Sequence, residues 1–426
     1  FPLTTDQQKA IKDIVEDLKS PHMMYRFLQG DVGSGKTVVS LAALYANYLA
    51  GFQGALMAPT EILATQHYQT LTHFLEETPV RIELLTGSLS VKEKEVSYQK
   101  IAQGEADIIV GTHALFQDKV VYSKLGLVIT DEQHRFGVMQ RKALKNKGQQ
   151  VDFLIMSATP IPRTLAISMY GDMEVSTIKT MPQGRLPVIT KYIHSASMKP
   201  ILKDLKNYLA RGGQCYVICP LVEESDHLEA KSAMQIADAM QRYFQKQYHV
   251  GLLHGQMKDE DKEKVMTGFL NNTIQILVST TVVEVGVDVK NANMMVIYNA
   301  ERFGLSQLHQ LRGRIGRGKE QAYCYLMSAS SSPEAKERLQ YLEKSHDGFE
   351  ISLYDLKLRG PGEVLGQRQS GLPTFLVADV MKDFPILSVA RKDAQEMIHD
   401  YVQNHEYQGI MSQIQEKLKV NNEYVD

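Results

Sequence analysis

GDVGSGKT, residues Gly30, Asp31, Val32, Gly33, Ser34, Gly35, Lys36 and Thr37, decides how the chain is read. An apolar run at residues 23–28 precedes it and a helical pattern at 38–49 follows it. The string fits GxxxxGK[ST] at every fixed position, in the strand–loop–helix context that gives that pattern its meaning. Three glycines let the backbone fold tightly and turn its N–H groups inward. Those donors, with a helix N-terminus behind them, suit the α- and β-phosphates of a nucleotide. Lys36 would reach the β- and γ-phosphates, and the Thr37 hydroxyl would be a ligand of Mg²⁺. Gln7, on a helix leading into this first strand, carries an amide that can both donate to and accept from an adenine edge. By residue type alone it reads as a surface glutamine.

Working outward, the apolar runs share one feature: each ends in a small polar cluster. The run at 55–58 ends at Pro59-Thr60-Glu61, that at 82–85 at Thr86-Gly87, and that at 108–110 at Gly111-Thr112-His113. Residues 125–129 end at Thr130-Asp131-Glu132-Gln133-His134, and residues 153–156 at Ser157-Ala158-Thr159-Pro160. Helical patterns lie between, as at 63–75 and 91–101. Short apolar strands alternating with helices predict a parallel sheet covered on both faces. Ligands bind such sheets at the carboxyl ends of the strands, so the clusters are expected to form one functional edge. A strand ending in two carboxylates behind a phosphate loop reads as a Walker B element. Asp131 would hold Mg²⁺ through water, and Glu132 would orient and deprotonate the attacking water. Ser157 and Thr159 would relay the state of the nucleotide to the rest of the chain.

KTMPQGRLP, residues 179–187, reads as a linker, after which the strand–helix rhythm restarts with runs at 188–193, 215–219, 250–253, 274–278, 294–298 and 322–327. No second GxxxxGK[ST] occurs there. One loaded and one empty nucleotide-type fold predict a cleft that closes on ATP. The string QLRGRIGRG, from Gln310 to Gly318, offers Arg314 and Arg317. Their spacing puts them on one face if the stretch is helical. Aimed across the cleft, their guanidinium groups would stabilise charge on the γ-phosphate; the alternative is a basic helix facing solvent or nucleic acid. Gly286 and Asp288 again put a glycine and a carboxylate at a strand end. Asp347 and Glu350 form a capping box for a helix to residue 358.

A chain of 426 residues is too long for one core and predicts two or three domains. Net charge is −2, so nucleic acid would have to meet local basic patches rather than a global field. Neither a signal peptide nor a stretch of about 18 uninterrupted apolar residues is visible. Cys215, Cys219 and Cys324 sit in apolar runs and read as buried free thiols of a reducing compartment. The opening FPLTTDQQ, without methionine and directly on a motif, is expected to mark a fragment lacking an N-terminal region.

LTTDQ, GDVGSGKT, APTE, TG, DEQH, SATPIPRT, TTVVEVGVDV and QLRGRIGRG, in this order, resemble superfamily 2 helicases and translocases over residues 1–330. The resemblance implies two tandem RecA-like α/β domains with parallel sheets, at 1–182 and 183–330, and a small, mostly helical segment at 331–426. It makes Gln7 the adenine-reading residue, Arg314 and Arg317 arginine fingers, and His134, Ser157, Thr159, Gly286, Asp288 and Gln310 coupling residues. DEQHRFGV with SATPIPRT is narrower, resembling RecG-type fork-remodelling helicases and transcription-repair coupling factors. EVLGQRQSG at 363–371 resembles the translocation motif that the two share; RGPGE with Arg368 is closer to the RecG type.

The function so implied is an ATP- and Mg²⁺-dependent translocase on double-stranded DNA, remodelling stalled forks and Holliday junctions. Pro59, Thr60, Thr86, Gly87, Thr112 and His113 would hold one strand's phosphates, which positions a duplex without reading its sequence. Arg359, Arg368 and Gln369 would convert lobe closure into a step. The expected setting is the bacterial cytoplasm, with no membrane and the chain acting as a monomer. Branched DNA, and a single-stranded DNA-binding protein, are the expected partners. Two rivals stay open: a coupling-factor motor acting on RNA polymerase, and a nucleotide-gated DNA clamp without turnover.

Overall fold

A computed structural model of the chain describes residues 2–131, 150–158, 173–182, 186–220, 226–244, 247–280, 289, 291–316, 318, 320–359, 383–400, 409–410 and 412–414. Two parallel sheets dominate it. In the first, strands β1 (Tyr25–Gly30), β2 (Gln53–Met57), β3 (Ile82–Leu85), β4 (Ile108–Gly111), β5 (Leu125–Asp131), β6 (Asp152–Ser157) and β7 (Glu174–Ile178) lie in the order β3-β4-β2-β5-β6-β1-β7. Helices α1 (Thr5–Lys19), α2 (Lys36–Leu49), α3 (Glu61–Phe74) and α4 (Val91–Ala102) belong to this lobe.

The strands read as continuous apolar runs because both faces of the sheet are covered. Alternation then divides each strand between two cores. Leu56, Ile108, Val110, Leu127, Ile129 and Leu154 face one side, with Ile14, Leu44 and Leu63 from α1, α2 and α3. Ala55, Met57, Ile109, Val128 and Phe153 face the other, with Ile101 from α4. Such side chains stabilise by roughly 1.5–3 kcal/mol each on full burial.

The second sheet repeats the design. Strands β8 (Ile189–His194), β9 (Cys215–Ile218), β10 (Val250–Leu253), β11 (Ile276–Ser279), β12 (Met294–Ile297) and β13 (Tyr323–Ser328) run in the order β10-β11-β9-β12-β13-β8. With it go α5 (Leu202–Leu209), α6 (Asp226–Tyr243), α7 (Asp259–Leu270), α8 (Leu305–Arg312), α9 (Pro333–Lys344) and α10 (Gly348–Arg359). Leu339 and Leu342 of α9 and Ile351 of α10 are buried in the same core as Tyr216, Leu277 and Met295. Asp347 caps α10 as its sequence predicts, accepting the N–H groups of Phe349 (2.7 Å) and Glu350 (3.3 Å). Glu350 does not complete a reciprocal box; its carboxylate accepts the Ser345 hydroxyl at 3.3 Å. α11 (Phe384–Asp400) follows.

Both sheets belong to one compact unit, Phe1–Pro162 with Asp172–Leu358; Arg163–Gly171 and Arg359–Asp426 form a second. Among the described residues no helix is long and apolar enough to cross a membrane. The three cysteines are buried and free. Burial pushes the Cys219 and Cys324 thiols up to about 12, so they stay protonated and inert.

Candidate nucleotide and nucleic-acid sites

Because every strand pair is parallel, the polar clusters all emerge at one edge of the first sheet. The strand order sorts them. The ends of β5, β6 and β1 are neighbours and carry Asp131, Ser157 and the phosphate loop; the ends of β3, β4 and β2 carry Thr86-Gly87, Thr112-His113 and Pro59-Thr60.

The loop at Gly30 to Thr37 is held in the shape its glycines allow. Gly33 and Gly35 have φ of 81° and 85°, in the left-handed region that costs glycine nothing. At Gly30 a Cβ would lie 3.0 Å from the Ile178 carbonyl, which belongs to the neighbouring β7. Gly35 is the N-cap of α2, so that helix points its free N–H groups at the loop. Lys36 donates to the carbonyls of Gly30 (2.7 Å) and Asp31 (2.9 Å). The Ser34 hydroxyl is fully buried and has no hydrogen-bond partner among the described residues, and Val32 is buried. An unsatisfied buried hydroxyl in a loop that runs into a helix N-terminus, beside a lysine, fits a phosphate group.

Gln7 is not a surface residue. It is 2% exposed; its Oε1 accepts the Thr4 N–H at 2.9 Å, and its Nε2 donates to the Ser34 carbonyl at 2.8 Å. The first bond completes a capping box on α1, and the second ties that helix to the phosphate loop.

Asp131 closes β5 and points at His67 of α3, whose Nε2 lies 3.0 Å from its Oδ2. Burial works to raise the Asp131 pKa, but the His67 hydrogen bond and charge, with Lys36 and Arg314, outweigh it. The carboxyl is therefore held below its ordinary value and is ionised at neutral pH. His67 carried no signal in the sequence beyond being a histidine on an amphipathic helix. Among the described residues no group of three or more His, Cys, Asp or Glu could hold a metal ion. A magnesium ion here would draw on Thr37, Asp131, water and the phosphates of its nucleotide, the arrangement this ion favours.

Arg314 comes from the second lobe and its charge bears on Asp131 of the first. The helical premise for this residue does not hold: α8 ends at Arg312, Gly313 follows as its C-cap, and Gly316 has φ of 73°. Arg314 thus projects from a turn, and Arg317 lies outside the described residues. Gln310 is half-buried on α8. Glu132, Gln133, His134, Thr159, Gly286, Asp288, Arg368 and Gln369 also lie outside the described residues. Arg359 ends α10.

At the other half of the edge, Thr60 caps α3 by accepting the Leu63 N–H at 3.4 Å, beside half-buried Pro59. Glu61 accepts the Ser88 N–H at 3.1 Å, and a Cβ on Gly87 would sit 2.6 Å from the same carboxylate oxygen. Thr86 is buried, with its hydroxyl 3.1 Å from that of Ser88. Thr112 is buried, its hydroxyl without a partner among the described residues, and His113 beside it is exposed. On the second sheet, buried His254 Nδ1 and Thr280 Oγ1, just past the ends of β10 and β11, are likewise without a partner among the described residues. The sequence reading passed over both.

Family models match along the chain: a DEAD/DEAH box helicase at residues 4–167, a helicase conserved C-terminal domain at 200–319, and the ATP-dependent DNA helicase RecG, domain 3, C-terminal, at 345–425. The ATP-dependent DNA helicase RecG of Bacillus subtilis is 52% identical over 398 residues, covering 93% of this chain and 58% of the relative. That of Staphylococcus aureus strain NCTC 8325 is 48% identical, covering 98% and 61%. The chain therefore spans about three fifths of the length of these relatives. A solved structure of RecG bound to a three-way DNA junction is similar with a TM-score of 0.77 and 45% identity, over 91% of this chain and 50% of that one. A structure of Mss116p bound to single-stranded RNA and AMP-PNP, at 16% identity and a TM-score of 0.59, shares the fold. The matched family models and these relatives agree: the chain corresponds to the motor and C-terminal part of RecG-type ATP-dependent DNA helicases.

Proposed function

We propose that the chain is the motor of an ATP-dependent double-stranded DNA translocase that remodels branched DNA, regressing stalled forks and migrating Holliday junctions. The observation that carries this reading is that Asp131, at the end of β5, feels the charges of both Lys36 in its own lobe and Arg314 in the other. The N–H groups of the loop and Lys36 would bind the nucleotide's phosphates, while Gln7 would read its adenine after exchanging its bonds to Thr4 and Ser34. Thr37 and Asp131 would hold Mg²⁺, which when bound supplies positive charge against the phosphate oxygens. Glu132, next after Asp131, would take the proton of the attacking water. Arg314, with Arg317, would stabilise charge from across the cleft, and His134, Ser157, Thr159, Gly286, Asp288 and Gln310 would report it to both lobes.

The half of the edge formed by Pro59, Thr60, Thr86, Gly87, Thr112 and His113 would hold one DNA strand by its phosphates. The buried Thr112 hydroxyl, without a partner among the described residues, supports that assignment. Arg359, Arg368 and Gln369 would pass lobe closure to the duplex. The lobes are taken as residues 1–182 and 183–330, with 331–426 as the segment that follows. Branched DNA as ligand is supported by the RecG relative bound to a three-way junction. A single-stranded DNA-binding protein as partner, action as a monomer and a place in the bacterial cytoplasm belong to the same reading and rest on the family resemblance.

The RecG-type match at 345–425 favours this over a coupling-factor motor. A complete hydrolytic set argues against a clamp without turnover. Displacement of a third strand from a DNA triplex tests translocation: ATP should drive release, and release that needs no ATP, or none at all, would refute the reading.

A further inference from the structure

Asp31 is a puzzle on charge alone, because a carboxylate in a phosphate-binding loop repels the ligand. Its Oδ1 is already engaged. It accepts the Val32 N–H at 2.7 Å and lies 2.7 Å from Nε2 of His309, which is on α8 of the other lobe. Both side chains are sheltered, 17% and 6% exposed. Burial works to raise the Asp31 pKa, yet the His309 hydrogen bond, the Val32 N–H and Lys36 hold it below the ordinary value.

The other ring nitrogen fixes the state of the imidazole. Nδ1 of His309 is 2.8 Å from Nη2 of Arg312. A guanidinium has only donors, so Nδ1 must present its lone pair, and the proton sits on Nε2, aimed at Asp31. Only the neutral Nε2–H tautomer satisfies both neighbours. His309 and Arg312 are three apart on α8, which brings them to one helix face. Arg312 is itself buried and donates through Nη1 to the carbonyls of Leu342 and Ser345, each at 2.8 Å, at the end of α9. A second contact lies beside it: a Cβ on Gly313 would fall 2.6 Å from Cβ of Val32, so only glycine lets the two lobes approach this closely.

We propose that His309 is a positioning residue, a neutral imidazole that latches the phosphate loop of the first lobe to the second and, through Arg312, to the end of α9. Arg314 follows Gly313 directly, so the latch sets where that arginine stands relative to Lys36 and Asp131. It also couples the loop to Ser345, two residues before the Asp347 cap from which α10 runs to Arg359. The inference deepens the ATPase reading and rests on it for its kinetic consequence, but not for its structural one.

Two variants, His309→Leu and His309→Gln, test it in the whole chain. Leucine removes the donor and the acceptor; glutamine keeps one of each. His309→Leu should lower kcat for DNA-stimulated ATP hydrolysis by about tenfold or more, the scale for a lost hydrogen bond to a charged group, with KM for ATP little changed. His309→Gln should restore most of it. Lobe separation is read without nucleotide by energy transfer between dyes on cysteines introduced at exposed Val91 and Met234. Transfer should fall and broaden in His309→Leu and return in His309→Gln. Transfer unchanged in His309→Leu, or glutamine no better than leucine in both readouts, would overturn the latch. A parent chain that fails to hydrolyse ATP would instead refute the ATPase reading, and the energy-transfer comparison would still decide the latch.

Discussion

Arg314→Ala is expected to lower DNA-stimulated ATP turnover by about 10³–10⁵-fold, the range found when an arginine that neutralises a transferring phosphoryl group is removed. Three features set the size. The residue stands in a turn fixed by Gly313 and Gly316, not on a helix whose rotation could shift it. Its charge already bears on half-buried Asp131 in the opposite lobe. A planar, permanently charged guanidinium has no equal substitute, so Arg314→Lys should recover only part of the loss. Because the arginine acts on the γ-phosphate, binding of a fluorescent ADP analogue should survive the change. Turnover within about tenfold of the parent would remove Arg314 from the site.

Lys36→Ala should cost about 10²–10³ in kcat, the scale for deleting one preorganised donor, and should weaken nucleotide binding as well. Lys36 differs from Arg314 in belonging to the loop itself. Its ammonium group bonds two loop carbonyls, and its charge offsets Asp31 and Asp131 together. Alanine leaves two carboxylates facing incoming phosphates with less compensation. Titration calorimetry with ADP should show the affinity loss, in contrast to Arg314→Ala. Equal ADP affinity in Lys36→Ala and the parent would mean that the loop does not use its lysine for phosphate.

The fold was legible because burial on two faces writes itself as apolar runs, and the runs at 82–85 and 250–253 coincide with β3 and β10. β7 was missed for a physical reason. Glu174–Ile178 is, among the described residues, an edge strand paired to β1, with an exposed, partly buried, buried, partly buried, buried pattern that leaves no apolar run. The condition set for Arg314, a helix through this stretch, is not met, and Gly313 and Gly316 are the residues that break it. Most of the site's wiring was illegible, because it depends on pairs distant in sequence. Nothing near Asp31 points to His309, and nothing near Asp131 points to His67. By residue type alone Gln7 reads as a surface glutamine, and nothing in the sequence marks it as a buried amide that bonds Thr4 and Ser34.

The central claim is that a two-lobed ATPase site answers to DNA at the same sheet edge. The most direct measurement is the steady-state ATPase rate with no DNA, single-stranded DNA, linear duplex and a three-way junction. The account predicts a low basal rate, strong stimulation by duplex and junction, and loss of that stimulation in Arg314→Ala. A rate that is the same with and without every DNA would contradict it.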